Sequence, residues 1–332
     1  MVVKVAYVFF SRSIDPWYNL AVEEWLLRRV EPGQVILYLW QNHHTVVIGR
    51  NQNAWKECRC QELEASGGKL ARRLSGGGAV YHDLGNLNFT FLAGRDVYDV
   101  ERQLQVILDA VRSVGIEAEF SGRNDLEVSG RKFSGNAFYL ERQAAFHHGT
   151  VMVNCDFTKL SRFLQVSSAK MAAKGVESLR ARVINLAELN PTLTVAAVQQ
   201  RIVEHFAAAY SNFQGEIPLL PQGGEFDRLV AKYSSWQWRY GQTPQFAVTF
   251  ETRFPWGGIE LALNLRQGRI CEAKIFSDAM DADLVEAMAT SLLGVPFTQS
   301  AMAQAVADVA TDSNSAASIV SDVSDWISCL VL

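Results

Sequence analysis

Three consecutive glycines, Gly76-Gly77-Gly78, stand between two short runs that read as strands, Lys69 to Arg73 and Ala79 to His82. Such a segment favours neither helix nor strand; it lets the chain turn sharply and bring bare backbone N–H groups close to an anion. Arg72 and Arg73 precede it, Ser75 sits inside it, and His82-Asp83 follow. A guanidinium matches the geometry of phosphate or carboxylate. The bland alternative is a flexible hairpin with solvated arginines, and the flanking arginine pair and histidine favour the anion site. Two common phosphate-binding patterns do not fit. Gly68-Lys69 is followed by Leu70, which breaks G-x-x-x-x-G-K-[ST], and Gly76 and Gly78 lead to Tyr81 where a dinucleotide loop needs glycine or alanine.

The remaining pattern mixes strands and helices without steady alternation, so an α+β fold is expected rather than a doubly wound parallel sheet. Val3 to Phe10, Val35 to Trp40 and Thr45 to Ile48 read as strands, and Asp15-Pro16 as an N-cap followed by proline at the first helical position. Ala54 to Glu64 reads as one polar helix, and Val100 to Val114 as a helix ended by Gly115. Further strands are expected at Leu87 to Leu92, Glu117 to Phe120, Leu126 to Val128, Lys132 to Leu140 and Gly149 to Asn154. Thr192 to Phe213 predicts a long amphipathic helix with Val195, Val198, Ile202, Phe206 and Tyr210 on one stripe. A boundary is expected near Gly241-Gln242-Thr243-Pro244, dividing a domain over 1–244 from a small α+β domain over 245–332. In the latter, three strands from Phe246 to Phe276, turning at Gln267-Gly268, precede helices near Asp281 to Leu293, Gln299 to Val309 and Ser315 to Ile327.

Composition limits the classes of function. With 332 residues, 48% hydrophobic and 20% charged, the chain can bury a core. The formal charge of -4 argues against a bulk nucleic-acid binder. From Glu251 onward 11 acidic and 4 basic residues leave the preceding part at +3, which suits a negatively charged substrate. Cys58, Cys60, Cys155, Cys271 and Cys329 are odd in number and scattered, so free thiols are expected. No run is apolar enough to span a membrane, and Val2 to Phe10 reads as a strand rather than a leader; a cytoplasmic monomer is the expectation.

Three more constellations could carry chemistry. In G-R-N-D-L from Gly122, Asn124 and Asp125 offer oxygens suited to Mg²⁺. In S-G-R-K-F-S-G-N-A from Ser129, Lys132 lies between two glycine turns, which raises the chance that its amine enters a pocket. In F-H-H-G-T from Phe146, adjacent histidines on a strand place one imidazole on each face. A basic, glycine-containing stretch, A-A-K-G-V-E-S-L-R-A-R-V from Ala172, could close over an anionic intermediate or be an exposed loop.

These motifs, with D-P-W-Y-N-L-A-V-E-E, H-T-V-V-I-G-R-N-Q-N and W-G-G-I-E-L, resemble in order and over essentially the whole chain those of bacterial lipoate-protein ligase A. The resemblance implies a large biotin/lipoate-ligase-like catalytic domain of mixed sheets flanked by helices, beside a small accessory domain. It implies that lipoate and ATP, with Mg²⁺, form lipoyl-AMP and pyrophosphate, and that the lipoyl group passes to a lysine of lipoyl domains, in E2 subunits of 2-oxoacid dehydrogenases and the glycine-cleavage H protein. Lys132 matches the catalytic lysine. Arg73, Gly78, Ala79, Val80, Tyr81, Lys132, Lys174 and Arg182 match nucleotide-binding positions. Ser75, His82 and His148, with Arg73 and Lys132, match groups near lipoate, and Leu20 and Trp40 would wall its tunnel. Tyr139 stands where relatives can carry arginine. Two alternatives remain open at this stage: an ATP-independent octanoyl- or lipoyl-transferase using Cys155 as nucleophile, and a non-catalytic lipoate- or nucleotide-binding protein. A biotin ligase is a more distant third.

Overall fold

A computed structural model describes residues 2–122, 124–165, 182–218, 221–240, 248–266 and 268–331. The chain divides into two compact units, one of Met1–Val47, Trp55–Arg72 and Ala79–Arg239, the other of Ile48–Ala54, Arg73–Gly78 and Tyr240–Leu332. The expected boundary at 241–244 and Gln267 of the hairpin turn lie outside the described residues.

The first unit is built on an eight-stranded mixed sheet, in the order β11-β1-β2-β6-β10-β9-β8-β7. Its strands are β1 (Val5–Phe10), β2 (Gln34–Trp40), β6 (Asn86–Gly94), β7 (Glu119–Phe120), β8 (Asp125–Val128), β9 (Arg131–Leu140), β10 (Ala144–Met152) and β11 (Phe213–Glu216). The β1–β2 and β1–β11 pairs are parallel; β2–β6, β6–β10, β9–β10, β8–β9 and β7–β8 are antiparallel. A smaller sheet orders β4 (Lys69–Arg72), β3 (Thr45–Ile48) and β5 (Val80–His82) as β4-β3-β5.

Side-chain alternation gives the large sheet two unlike faces. Val35, Leu37 and Leu39 of β2, Leu87, Phe89 and Phe91 of β6, and Val151 of β10 enter one apolar core with Leu104, Ile107 and Val111 and with Val198, Ile202 and Phe206. Those last two sets belong to α2 (Val100–Arg112) and α4 (Val195–Ala209). The expected stripe of α4 is thus the buried one, and Tyr210 completes it. The helix is shorter than Thr192 to Phe213 because Thr194 caps its start and the chain re-enters the sheet as β11.

On the opposite face lies α1 (Pro16–Leu27), capped by Asp15, whose carboxylate accepts from the N–H groups of Trp17 (2.9 Å) and Tyr18 (3.2 Å). Almost every residue of α1 is buried, which explains why its sequence lacks a polar face. Glu24 is buried within it. Burial pushes that carboxyl up, but bonds from Lys232 (2.7 Å), the Tyr233 hydroxyl (2.7 Å) and Arg28 outweigh burial and hold it below its ordinary range. Lys232 and Tyr233 lie on α5 (Gly224–Ser234), an element without a strong sequence signal.

Two local expectations change, and one helix is new. The polar stretch from Ala54 splits into short helices at Ala54–Glu57 and Cys60–Ala65, because Cys58 leaves the helix to bridge Leu164. The strand expected from Gly149 begins at Ala144, which places His147-His148 in mid-strand. Phe157–Phe163, to which no element was assigned from sequence, is helix α3, capped by Asp156.

The second unit contains an antiparallel sheet, β12 (Val248–Phe254), β13 (Gly257–Arg266) and β14 (Arg269–Ser277). It packs against α7 (Ala282–Ser291), α8 (Gln299–Ala307) and α9 (Asn314–Ser328) through Leu261, Leu263, Ile275, Met288, Met302, Val306, Val323 and Ile327. Among the described residues no helix is long and apolar enough to cross a membrane.

His147 is fully buried on the core side of β10. Its Nε2 lies 2.9 Å from Asn136 Oδ1 and its Nδ1 3.2 Å from the Gln103 amide. Burial, with His148 beside it, lowers its pKa to about 3. The unfolded chain takes up this proton near pH 6.5, the folded chain only near pH 3. Stability is therefore complete above 6.5 and falls as pH drops through that window, by about 1.4 kcal/mol per pH unit. Urea unfolding at pH 7 and pH 5 is expected to show a loss about 2 kcal/mol larger for the unsubstituted chain than for His147→Gln.

Candidate active site

The β8–β9 hairpin turns through Ser129 and Gly130, both with positive φ (51° and 72°), the geometry of a two-residue hairpin turn. Val128 pairs with Arg131 and Glu127 with Lys132, but Leu126 pairs with Ser134 and Asp125 with Gly135. One extra residue, Phe133, is therefore accommodated on β9 as a bulge. In an unbroken strand Lys132 and Gly135, three apart, would face opposite sides. The bulge turns both to the same side, while Phe133 enters the apolar core.

Lys132 then folds across Gly135. A Cβ on Gly135 would lie 2.6 Å from the lysine Nζ and 2.8 Å from Cε, so a side chain there would push the amine out of this position. The ammonium sits 2.7 Å from Asp125 Oδ1. The Lys132 backbone is fixed as well: its N–H donates to Arg182 O (2.7 Å) and its carbonyl accepts from Ile184 N (2.9 Å).

The amine opens into a cleft of about 520 Å³, a size typical of small-molecule sites. Ala79, Val80, Tyr81, Asp125, Lys132 and Arg182 line it, all of them singled out by sequence. Gly130 and Gly135, the glycines noted on either side of Lys132, line it as well, and so do Asn86, Glu127, Thr150, Met152, Leu160 and Leu164, to which no role was assigned from sequence. Period-two alternation on β6 and β10 was the signal that could have found Asn86, Thr150 and Met152. Nothing local marked Leu160 and Leu164, which the unexpected α3 and the residue following it supply. The Tyr81 hydroxyl is 2.9 Å from His44 Nδ1, and its ring stacks on Phe163 (5.9 Å).

Asn124 is not among the lining residues; its amide donates to Asn136 O at 3.2 Å. Among the described residues no group of three or more His, Cys, Asp or Glu could hold a metal by protein ligands alone. Lys174 lies outside the described residues.

His148 lies on the α1 side of β10, opposite to His147 as the alternation requires. Its Nδ1 is 2.8 Å from Oε1 of the fully buried Glu23, which also accepts from the Thr90 hydroxyl (2.7 Å). The Trp40 indole donates to that same Thr90 (3.1 Å). His82 Nδ1 is 3.2 Å from the Asn42 amide, and its ring stands edge-on to Trp40. Leu20 is fully buried in α1. Tyr139 packs against Phe146 (5.4 Å).

The two arginines before the triglycine have separate tasks. Arg72 is buried and donates to Trp238 O (2.9 Å) and Arg239 O (2.9 Å), so it anchors Trp236–Tyr240, helix α6. Burial lowers its pKa to about 10. Arg73 donates to Ser75 Oγ (3.0 Å), Gly76 O (2.6 Å) and Gly78 O (2.8 Å), tying the loop to itself. Gly76 packs so closely that a Cβ would lie 2.3 Å from the carbonyls of Ala279 and Met280, and Gly77 N donates to Ala279 O (3.0 Å). These glycines serve close packing within the second unit. Arg73, Ser75 and Gly78 belong to that unit, whereas the cleft belongs to the first.

Comparison with known proteins accords with this arrangement. Residues 15–207 match the lipoyl protein ligase A/B catalytic domain, and residues 243–327 the bacterial lipoate protein ligase C-terminus. The fold is similar to that of P. falciparum LipL1, crystallised with lipoate, at 28% identity over 98% of this chain and 99% of that one (TM-score 0.85). It is also similar to a bi-partite lipoate protein ligase from Thermoplasma acidophilum, studied with its E2 lipoyl domain, at 25% identity over 75% and 100% of the two chains (TM-score 0.63). A lipoate-protein ligase A bound with ATP shares the fold at 24% identity over 73% and 99% (TM-score 0.59). The chain is an enzyme of the lipoyl protein ligase A/B catalytic-domain family.

Proposed function

We infer that this enzyme is an ATP-dependent lipoate-protein ligase, which activates lipoate as lipoyl-AMP and transfers the lipoyl group to a lysine of lipoyl domains such as those of E2 subunits and the glycine-cleavage H protein. The observation that carries this reading is the ammonium of Lys132, held by Asp125 over a side-chain-free Gly135 at the wall of a cleft. The lipoate in P. falciparum LipL1, the ATP in the ligase A structure and the E2 lipoyl domain studied with the archaeal enzyme support the choice of ligands and acceptor.

In the first step a carboxylate oxygen attacks the α-phosphorus. A P–O bond forms and pyrophosphate leaves with the bridging oxygen. Two anionic groups must approach, and an ammonium placed between them offsets their repulsion. In the second step the neutral amine of the acceptor lysine attacks the acyl carbon, AMP leaves with the former carboxylate oxygen, and the amine loses a proton. Lys132 then faces the charge that develops on the acyl oxygen. Arg73, Gly78, Ala79, Val80, Tyr81, Lys174 and Arg182 are assigned to the nucleotide. Leu20, Trp40, Ser75, His82 and His148 are assigned to lipoate. The donor set fits Mg²⁺, which takes one or two carboxylates plus phosphate oxygens. Asp125, with Glu127 beside it in the cleft, would hold the ion, which when bound neutralises phosphate charge. Asn124 fits less well, its amide being engaged with Asn136.

The cysteine-nucleophile alternative is disfavoured. Burial pushes the Cys155 thiol well above its ordinary pKa and the Asp83 carboxylate adds to the rise, the opposite of an activated nucleophile. The thiol is also absent from the lining of the cleft.

Mixing enzyme, lipoate, ATP and Mg²⁺ is expected to release pyrophosphate and to add the lipoyl mass to a purified lipoyl domain. Biotin in place of lipoate should release none. Lys132→Ala should lower the rate by about a hundred- to a thousand-fold, whereas Cys155→Ala should leave it intact; the reverse pattern would establish the transferase mechanism. Gly135→Ala should displace the amine and lower kcat about ten- to a hundred-fold with the thermal midpoint little changed. Parallel turnover assays and thermal melts check it.

A further inference from the structure

Across the face of the large sheet that meets the cleft, strand register sets out one row of residues. Trp40 of β2 pairs with Asn88 of β6, and Asn88 with Thr150 of β10. Thr150 Oγ1 accepts from the N–H of Gly135 on β9 (3.2 Å), and Gly135 pairs with Asp125 on β8. Lys132 lies over Gly135. The row therefore runs from an aromatic wall, through an amide and a hydroxyl, to an ammonium–carboxylate pair.

Asn88 is the member whose bonding is incomplete. Its Oδ1 accepts from Asn86 Nδ2 (2.9 Å), which fixes the orientation of the amide. Its Nδ2 is shielded from solvent and meets no acceptor among the described residues; the residue as a whole is 1% exposed. A buried donor left unmade is unfavourable; other buried polar atoms of the described residues, Gln103 Nε2 and the Tyr210 hydroxyl among them, are also unpaired, and what distinguishes Asn88 is its place beside the cleft. The neighbours show where. Asn86, on the same strand and face, and Thr150, directly across, both line the cleft, with Asn88 in the layer just behind them. Two strand spacings separate Asn88 from Gly135, about 10 Å at the backbone, enough for a carboxylate hydrogen-bonded on both sides. Beyond Asn88 the row ends on Trp40, so a molecule with its polar head between Asn88 and Lys132 would direct an apolar tail along the indole.

We propose that Asn88 is a substrate-binding residue of this enzyme, and that its Nδ2–H donates to the carboxylate oxygen of the acyl substrate and then to the acyl oxygen of the adenylate, on the side away from Lys132. This rests on the ligase reading above and adds a residue to which no role was assigned from sequence. The amide grips the acid and not the nucleotide, so it sets affinity for the first and leaves the second alone.

Asn88→Asp tests the proposal: one oxygen still accepts from Asn86, and the orphaned donor becomes a second, anionic oxygen that would repel the substrate carboxylate. Lipoate affinity of the full chain by calorimetry, KM for lipoate and for ATP from pyrophosphate release, and the thermal midpoint are measured together. Lipoate affinity and lipoate KM should worsen about ten- to a hundred-fold while ATP KM stays within about two-fold. Asn88→Ala, the fallback should the aspartate variant not fold, should show the same selective loss. Unchanged lipoate affinity in a folded variant, or equal weakening of lipoate and ATP, overturns the proposal and leaves the ligase reading standing. An unsubstituted enzyme that neither binds lipoate nor releases pyrophosphate with it overturns both.

Discussion

The burial of both faces of the large sheet is the constraint on which the first unit depends. On β6, Leu87, Phe89 and Phe91 enter the apolar core, while Asn86, Asn88 and Thr90 face the other way. A slip of one residue would exchange the two sets, putting amides into the core and phenyl rings against α1 and the cleft. Two polar chains hold the register from opposite sides. Gln103, His147 and Asn136 link α2 to β10 and β9; Glu23, Thr90 and His148 link α1 to β6 and β10. Adjacent histidines thus belong to different chains of bonds, one in the core and one on the face that continues into the cleft.

That rigid sheet permits one local exception with chemical consequences. The Phe133 bulge aims Lys132 and Gly135 to the same side, and the side chain that glycine lacks becomes the space the ammonium occupies. Asp125, opposite Gly135 across the hairpin, receives the charge. A lysine amine is otherwise strongly hydrated and flexible. Here the backbone bonds to Arg182 and Ile184, the bulge and the carboxylate define its place together.

The triglycine segment, assigned to the anionic substrate, also has a packing role of its own. Gly76 lacks a side chain where the Ala279–Met280 backbone packs against it, Gly77 has a positive φ and lies against the Arg73 and Met280 side chains, and Arg73 donates to Ser75 Oγ and to carbonyls of the loop. Arg72, its neighbour, caps carbonyls of Trp238 and Arg239. Glycine and arginine beside each other are the composition of an anion site, and equally that of a loop whose carbonyls need donors. Sequence carries no information on which carbonyls lie nearby.

The sequence by itself determined the α+β class, the α1 cap, most strands of the large sheet, the stripe of α4 and the helices of the second unit. Each is set by interactions within a few residues: alternation, capping oxygens, proline and glycine. It also marked Lys132 and Asp125 by the tight turns and local composition around them, and Ala79 to Tyr81 by the family resemblance. Tertiary structure alone decided the rest. The bulge depends on how β8 pairs with β9. The splitting of the helix from Ala54 depends on a bridge between Cys58 and Leu164, over 100 residues apart. The row from Trp40 to Asp125 draws on five strands scattered along the chain, and the open donor of Asn88 shows itself only when the acceptors of the described residues around it have positions. Hydrogen bonds between distant segments are satisfied or left open by three-dimensional packing, and a linear pattern has no term for that.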